Sequence, residues 1–215
     1  AGIDGIFSLL ETPKLGVSTT NKPWDGYFAA RNFQTKTPKG ARHLASVKRV
    51  LQNSILALPK SHTTALKHLE VKNLYHKSRG LSNSSKIILH MDLIDTDQEL
   101  SAVFLHEMGH IVDLGMLRGS RSHRRSPFMD RSNPIYANDL STKFYEISWL
   151  TSKRKRPNIT RRDFVSGYAM NNPFEDFAES YIFYRLHGEK FRHFAQSSTA
   201  LRAKYNFFKT HIFAG

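Results

Sequence analysis

Five consecutive residues, His106-Glu107-Met108-Gly109-His110, form an H-E-x-x-H motif. On a helix, side chains four residues apart lie on the same face, so the imidazoles of His106 and His110 can reach one metal ion together. Glu107 is rotated by about 100° from His106 around such a helix, because one turn takes 3.6 residues. Its carboxylate can therefore meet a metal-activated water without binding the metal. This pattern predicts one bound zinc ion per chain, with Glu107 as the general base.

Zinc in a catalytic site takes a third protein ligand and keeps one position open for water. In metzincins that ligand follows in the same run, which would require Gly at position 113 and His or Asp at position 116. The sequence has Asp113 and Met116, so the metzincin class is excluded. Asp113 follows His110 by about one turn. Its carboxylate either orients the second nitrogen of a ligating imidazole or pairs with one of the nearby arginines.

The third ligand must therefore come from elsewhere in the chain, and Glu175 and Glu179 are the best candidates. Both lie on a predicted helix that begins at Pro173, at the head of a stripe of apolar side chains. Asn172-x-x-Glu175 also resembles a capping box, in which the Glu175 carboxylate would bind the backbone instead of a metal. Spacing alone does not choose between the two glutamates.

Together these residues give the sequence a resemblance to a group of gluzincin-type zinc peptidases. The group includes the catalytic domain of anthrax lethal factor and the clostridial Pro-Pro endopeptidases. In it, a Glu-x-x-Ala-Glu helix follows the H-E-x-x-H helix, and residues 175–179 read Glu-Asp-Phe-Ala-Glu. A tyrosine precedes the first of these glutamates by seven residues in the group, and Tyr168 stands at that spacing.

The resemblance implies Glu175 as the third zinc ligand, Glu179 as support for a ligating histidine, and Tyr168 as a stabiliser of the oxyanion. It also implies that the strand before the zinc helix borders the cleft and pairs with an extended peptide. It covers roughly residues 85–190. The basic connector 118–162 has no counterpart in the group, so a substrate preference does not carry over.

The H-E-x-x-H motif needs a rigid helix, and the sequence predicts one over residues 97–114. Thr96 and Glu99 form a capping box at its start, and Gly115 is expected to end it. The helix is apolar nearly all round, which is typical of a buried helix.

Around this helix, hydrophobic spacing predicts further elements. The helices are expected at about 41–58, 140–152, from Pro173 to Gly188, and 198–213, the strands at 67–75 and 85–91, and a loop at 118–135. We expect an α+β fold, mostly helical and zincin-like, with a small β-sheet next to the H-E-x-x-H helix. Residues 1–40 are predicted to form an irregular N-terminal arm packed on a zinc metallopeptidase domain at 41–215.

The chain of 215 residues is strongly basic, with 32 Lys and Arg against 18 Asp and Glu and a net charge of +14. The basic stretches 118–131 and 153–162 either are simply solvated or form a patch for an acidic substrate, an anionic envelope or a nucleic acid. Because they come without a nucleic-acid-binding motif, no specific nucleic acid is expected. The expected partner is a protein or peptide substrate, and an acidic one suits the charge.

The sequence contains no cysteine, which excludes a disulfide scaffold, a thiolate metal site and a cysteine nucleophile. It also contains no run of about 20 apolar residues, so we expect no transmembrane segment. Ala1 begins the chain without a signal-peptide pattern, as in an exported protein after processing, and we expect a secreted or periplasmic bacterial protein.

These residues predict a zinc-dependent endopeptidase in which His106, His110 and Glu175 hold the metal and Glu107 and Tyr168 act on the peptide. Two other functions stay open at this point. One is a basic protein that binds a polyanion and uses zinc only as a structural ion, although such a site has no use for a base at position 107. The other is a zinc amidase that acts on a non-protein amide.

Overall fold

The computed structural model describes residues 34–36, 44–73 and 76–214. They fall into two compact units, 34–116 and 117–214. Helices and small sheets occur together, which confirms the α+β class. Of the predicted N-terminal arm, residues 1–33 and 37–40 lie outside the described part.

The first unit contains a four-stranded sheet in the order β1-β2-β4-β3. Its strands are β1 (Gln34–Lys36), β2 (His68–Lys72), β3 (Gly80–Ser82) and β4 (Lys86–His90). The first three strands in that order are parallel, and β3 runs antiparallel to β4 at the edge. Both predicted strands are present as β2 and β4, with alternate side chains buried as period 2 requires. The sequence pattern does not predict β3, which is only three residues long.

Two helices complete this unit, α1 (Leu44–Leu56) and α2 (Asp97–Ile111). Leu51 and Ile55 of α1 are fully buried, as their helical spacing predicts. The hydroxyls of Ser54 on α1 and Ser101 on α2 lie 2.9 Å apart and share a buried hydrogen bond. That bond satisfies two polar groups in the buried part of the contact between the helices.

The predicted start of α2 is confirmed, and its predicted end needs a correction. The Thr96 hydroxyl accepts a hydrogen bond from the Glu99 amide at 3.1 Å, while the Glu99 carboxylate accepts one from the Asp95 amide at 2.9 Å. At the other end the chain does not stop at Gly115 but continues as a π-helical turn, Val112–Met116. A Cβ at Gly115 would collide with the Ser84 carbonyl, so this glycine permits a close backbone contact and does not cap a helix.

The second unit contains two β-ribbons and three helices. They are β5 (Arg125–Asp130), β6 (Asn133–Tyr136), α3 (Ser141–Ser148), β7 (Trp149–Thr151), β8 (Arg154–Lys155), α4 (Pro173–Ser197) and α5 (Thr199–Phe207). The expected loop at 118–135 was therefore partly wrong, since a hairpin forms there despite its two prolines. The helix expected over 140–152 is also shorter, because the chain becomes extended at Trp149. In the described part of the chain, no helix has the length and apolar character that crossing a bilayer demands.

Helix α4 begins where the Asn172-Pro173 pair predicts it. The Asn172 side-chain oxygen accepts hydrogen bonds from the amides of Phe174 and Glu175, at 3.0 and 2.9 Å. Pro173 takes the first helical position, where no amide hydrogen is needed. The helix is interrupted at His187, whose φ of −136° and ψ of 38° are not helical. This break lies one residue before the glycine at which the sequence predicted the end.

A buried ion pair joins α4 to α5 inside the second unit. The Lys204 ammonium lies 2.7 and 2.9 Å from the two carboxylate oxygens of Asp176, and both side chains are fully buried. The Trp149 indole donates a further hydrogen bond to Asp176 at 3.0 Å, and Lys204 also donates to the Asp163 carbonyl at 2.9 Å. One carboxylate in the first turn of α4 thus connects the helix directly to two other segments, and to a third through Lys204.

Burial acts on both members of this pair in opposite directions. Desolvation raises the pKa of Asp176, and the neighbouring Lys204 ammonium opposes that rise. Desolvation likewise lowers the pKa of Lys204, and the Asp176 carboxylate opposes that fall. Each charge therefore depends on the other, because either one alone would be buried without compensation.

Replacing Lys204 by Met should lower the free energy of unfolding by about 3–5 kcal/mol, since the Asp176 carboxylate would stay buried without its partner. Urea denaturation followed by circular dichroism measures this loss. The double variant Asp176→Asn/Lys204→Met should recover part of it, because neither charge of the pair is left buried without its partner. A loss below about 1 kcal/mol in the single variant would show that the pair does not hold the two helices.

Candidate metal centre

The two histidines of the motif lie on one face of α2, as their spacing predicts. Their rings are 5.0 Å apart from centre to centre and meet at 81°, edge to face. His106 is buried, with 3% of its surface exposed, while His110 is half-buried. From Leu100 to Ile111, His110 is the one residue of the helix that is not buried. The helix therefore offers two nitrogen ligands at one point and is otherwise enclosed.

Glu107 is buried as well, with 5% of its surface exposed, and its carboxylate is held in place by the edge strand of the sheet. The Ser82 hydroxyl of β3 donates a hydrogen bond to Glu107 Oε2 at 2.5 Å. A hydrogen bond to a carboxylate is stronger than one between neutral groups, so it fixes the rotamer of Glu107. The sequence reasoning missed Ser82, because it lies 25 residues before Glu107.

Gly80, on the same strand, sets the distance between β3 and the Glu107 side chain. A Cβ added at Gly80 would lie 2.8 Å from Cγ and 2.9 Å from Cδ of Glu107, closer than side-chain atoms normally approach. Only a glycine lets the strand backbone pack directly on this carboxylate. Glycine inside a strand is a known sign of such a close approach, and this signal could have identified Gly80 from the sequence.

Glu175 lies in the first turn of α4 and is half-buried. Its backbone amide is capped by the Asn172 side chain, at 2.9 Å. The cap is thus supplied by Asn172. This bond is also the first half of the capping box that the sequence suggests, and the second half, in which the Glu175 carboxylate binds the backbone, stays a prediction.

Glu179 lies one turn further along α4 and is fully buried. Its carboxylate accepts a hydrogen bond from the Ser166 hydroxyl at 2.5 Å, and that hydroxyl accepts one from the Ala169 amide at 3.1 Å. Ala169 belongs to the short 3-10 turn Tyr168–Met170, in which Tyr168 is half-buried. Glu179 therefore anchors the turn that carries Tyr168, a connection through Ser166 that the sequence did not reveal.

Asp113 is fully buried in the π-helical turn that follows α2. A carboxylate with no exposed surface must be bound by other polar groups. Both interpretations from the sequence, a carboxylate that orients an imidazole and one that pairs with an arginine, remain predictions.

Within the described residues, one group of three potential ligands could hold a metal ion, and it consists of His106, His110 and Glu175. One ligand atom from each lies within 4.8 Å of the other two. Around a tetrahedral zinc, ligand atoms stand about 3.3 Å apart, as bonds of 2.0–2.1 Å require. Small side-chain rotations can close that gap. Two imidazoles and a carboxylate are also a donor set that suits zinc, although the group does not by itself identify the metal.

Comparison with known proteins assigns no family to this sequence. No protein-family model matches the sequence, and no curated protein matches it significantly. The function of the protein is therefore inferred from its own residues.

The two glutamates of α4 can be separated by metal binding. Glu175→Gln should abolish binding of one zinc equivalent, because an amide is a poor ligand. Glu179 is the residue to which the resemblance assigns the support of a ligating histidine, and Glu179→Gln should weaken zinc binding by only about 10–100-fold, as changes to groups that support a ligand do. Glu189→Gln, on an exposed glutamate of the same helix, is the control and should change nothing.

Elemental analysis and competition with a chromogenic chelator measure the zinc content and affinity of these variants. If Glu179→Gln lost zinc while Glu175→Gln kept it, the two roles would be exchanged. Full zinc binding in both variants would remove α4 from the metal site.

Proposed function

We propose that this protein is a zinc-dependent endopeptidase of the gluzincin kind, with a zincin-like fold. The observation that carries the proposal is the group of His106, His110 and Glu175, whose ligand atoms lie within 4.8 Å of one another. A buried carboxylate, Glu107, stands next to the first of these ligands in the chain. Two imidazoles, a carboxylate ligand and a separate base are the set that metal-assisted hydrolysis needs.

The partial exposure of the proposed ligands supports a catalytic site over a purely structural one. Structural zinc sites are closed by four protein ligands, whereas catalytic sites keep a position open for water. The group in the described residues has three members, and both His110 and Glu175 are half-buried. The position of Glu107 argues the same way, because a structural zinc needs no base beside it.

A bound zinc ion would supply Lewis acidity, which makes a water nucleophilic at neutral pH and polarises a carbonyl group. Glu107 takes a proton from the attacking water and later delivers it to the amine of the leaving peptide. The hydrogen bond from Ser82 keeps the Glu107 carboxylate in one rotamer, which is the requirement for repeated proton transfer at a fixed point.

In this proposal the Tyr168 hydroxyl donates a hydrogen bond to the oxyanion that develops on the attacked carbonyl. Glu179 and Ser166 act through the turn Tyr168–Met170, whose position they fix. They are therefore positioning residues and do not touch the substrate.

The pairing of the strands supports β3 as the place where an extended peptide would bind. The sequence assigned this role to the strand 85–91, but β4 already has β2 on one side and β3 on the other. β3 forms the edge of the sheet within the described residues and can accept an added strand. A peptide bound there would lie along Gly80 and Ser82, the two residues that hold Glu107.

Glu107→Gln tests the proposed function directly. The variant should keep its zinc and its melting temperature, because the amide preserves the shape of the side chain and can still accept the Ser82 hydrogen bond. It should lose nearly all peptide hydrolysis, since the base is gone. A proteome-derived peptide library, digested by the zinc-loaded protein and read by mass spectrometry, measures activity and cleavage preference together.

Two results would contradict the endopeptidase. One is a zinc-loaded wild-type protein that cleaves no peptide in the library, which would leave the amidase or the binding protein. The other is equal cleavage by wild type and Glu107→Gln, which would assign the activity to a contaminant or another site.

Gly80→Ala should reduce kcat about 100-fold while zinc content stays unchanged. The added Cβ displaces the Glu107 carboxylate, and a misplacement of about 1 Å typically costs this much in rate. Gly188→Ala is the matched control, because a Cβ there meets no atom within 4 Å. Steady-state kinetics on a peptide from the library, with zinc analysis of each variant, make the comparison. Equal kcat values for the two alanine variants would show that the contact between β3 and Glu107 is not needed for the chemistry.

A further inference from the structure

The positive charge of the chain is concentrated in one stretch of the second unit. Residues 117–163, all of them described, contain twelve Lys and Arg and four Asp and Glu. Eleven of the twelve basic side chains are exposed, whereas Glu146 is the one exposed acid in this stretch. Such an excess of one sign creates a strong local potential that attracts polyanions.

Hydrogen bonds bring the two ribbons of this stretch together at one point. The Ser152 hydroxyl, in the turn between β7 and β8, accepts a hydrogen bond from the Met129 amide at 2.6 Å and donates one to the Met129 carbonyl at 2.8 Å. Met129 lies on β5, close to residues 131–132, which form the turn between β5 and β6. Both turns therefore lie side by side, and we call residues 129–132 and 152–154 the basic tip.

The basic tip combines cations with an exposed apolar side chain. Arg131, Lys153 and Arg154 are all exposed. Met129 has 46% of its surface exposed, the largest value among the big hydrophobic residues in the described part of the chain. Both backbone groups of Met129 are used by Ser152, so the side chain is held outward and cannot turn into the core without breaking these bonds.

We propose that the basic tip binds an anionic phospholipid surface. Arginine forks bind phosphate oxygens in a bidentate way, and nine of the eleven exposed cations in residues 117–163 are arginines. An apolar side chain between such cations can enter the headgroup layer, as in other proteins that lie on membranes. Tight binding of single-stranded nucleic acid would favour exposed aromatic rings on which bases stack, and no Phe, Tyr or Trp side chain of residues 117–163 is exposed. The lipid surface is therefore the favoured partner. This proposal is independent of peptidase activity.

Sedimentation with lipid vesicles tests the proposal on the full chain. The protein should sediment with phosphatidylcholine vesicles that contain phosphatidylglycerol, and not with phosphatidylcholine alone. The binding should fall steeply as salt is raised, because the attraction is electrostatic.

Two variants of the basic tip and one control make the test specific. The triple variant Arg131→Gln/Lys153→Gln/Arg154→Gln should bind about a hundredfold more weakly, the effect expected for three cations near an anionic surface. Met129→Ser should bind severalfold more weakly with the same dependence on salt. The control, Arg192→Gln/Arg202→Gln/Lys209→Gln, removes three exposed cations from α4, α5 and the turn after α5 and should bind almost as wild type does. All changes are at exposed side chains, and melting temperatures establish that each variant is folded.

Three outcomes would overturn the proposal. Wild-type protein could fail to bind the anionic vesicles at low salt. The control could lose as much affinity as the tip variant, so that net charge and not the tip would explain binding. Finally, a DNA or RNA fragment could bind more tightly than the vesicles with the same dependence on Arg131, Lys153 and Arg154, which would assign the tip to nucleic acid.

Discussion

The burial of polar side chains on helix α2 is the constraint on which the rest of the structure depends. The helix is enclosed from Leu100 to Ile111, yet it carries His106 and Glu107 inside that enclosure. Buried polar and charged groups are costly unless other groups bind them. The edge strand β3 supplies such a group for Glu107. Its Ser82 binds the Glu107 carboxylate, and its Gly80 lets the strand backbone approach that carboxylate. In the proposed mechanism, this contact keeps the base in one geometry for proton transfer.

The buried Asp176 carboxylate holds the first turn of α4 in place, as Ser82 holds the Glu107 carboxylate. Asp176 follows Glu175 directly in the chain and is bound by Lys204 and Trp149. The first turn of α4 is therefore fixed by a buried ion pair as well as by the Asn172 cap. Proposed ligands are most effective on rigid elements, because a metal site tolerates little displacement. Both helices that carry the proposed ligands meet this condition within their own units.

The sequence predicted the parts of the fold that follow from local chemistry. The capped start of α2, the buried strands β2 and β4, and the start of α4 at Pro173 all depend on neighbouring residues and on periodicity. Elements that depend on distant contacts were missed. The π-helical turn contains Gly115 because the Ser84 carbonyl comes close. β3 pairs with its neighbour β4 and was missed for another reason, because three residues are too few to show the alternation of a strand. Trp149 looked helical by its spacing, but its indole binds Asp176, 27 residues away.

The same division holds for the candidate site. The spacing of His106, Glu107 and His110 is enough to predict their relative positions, because these positions depend only on the chain being helical there. The grouping of Glu175 with the histidines came from a resemblance, and the structure brings the three ligand atoms together. Ser82 and Ser166, which position the other groups, had no local signal at all, because each meets its glutamate through the tertiary fold.

X-ray absorption at the zinc K-edge, on protein loaded with one equivalent of zinc, shows directly which atoms bind the metal. We expect a low-coordinate zinc with two imidazole nitrogens and oxygen ligands at about 2.0–2.1 Å. The imidazole scattering should disappear in the His106→Ala/His110→Ala double variant. A zinc surrounded by oxygen alone, or imidazole scattering that persists in the double variant, would contradict a zinc centre on the H-E-x-x-H helix.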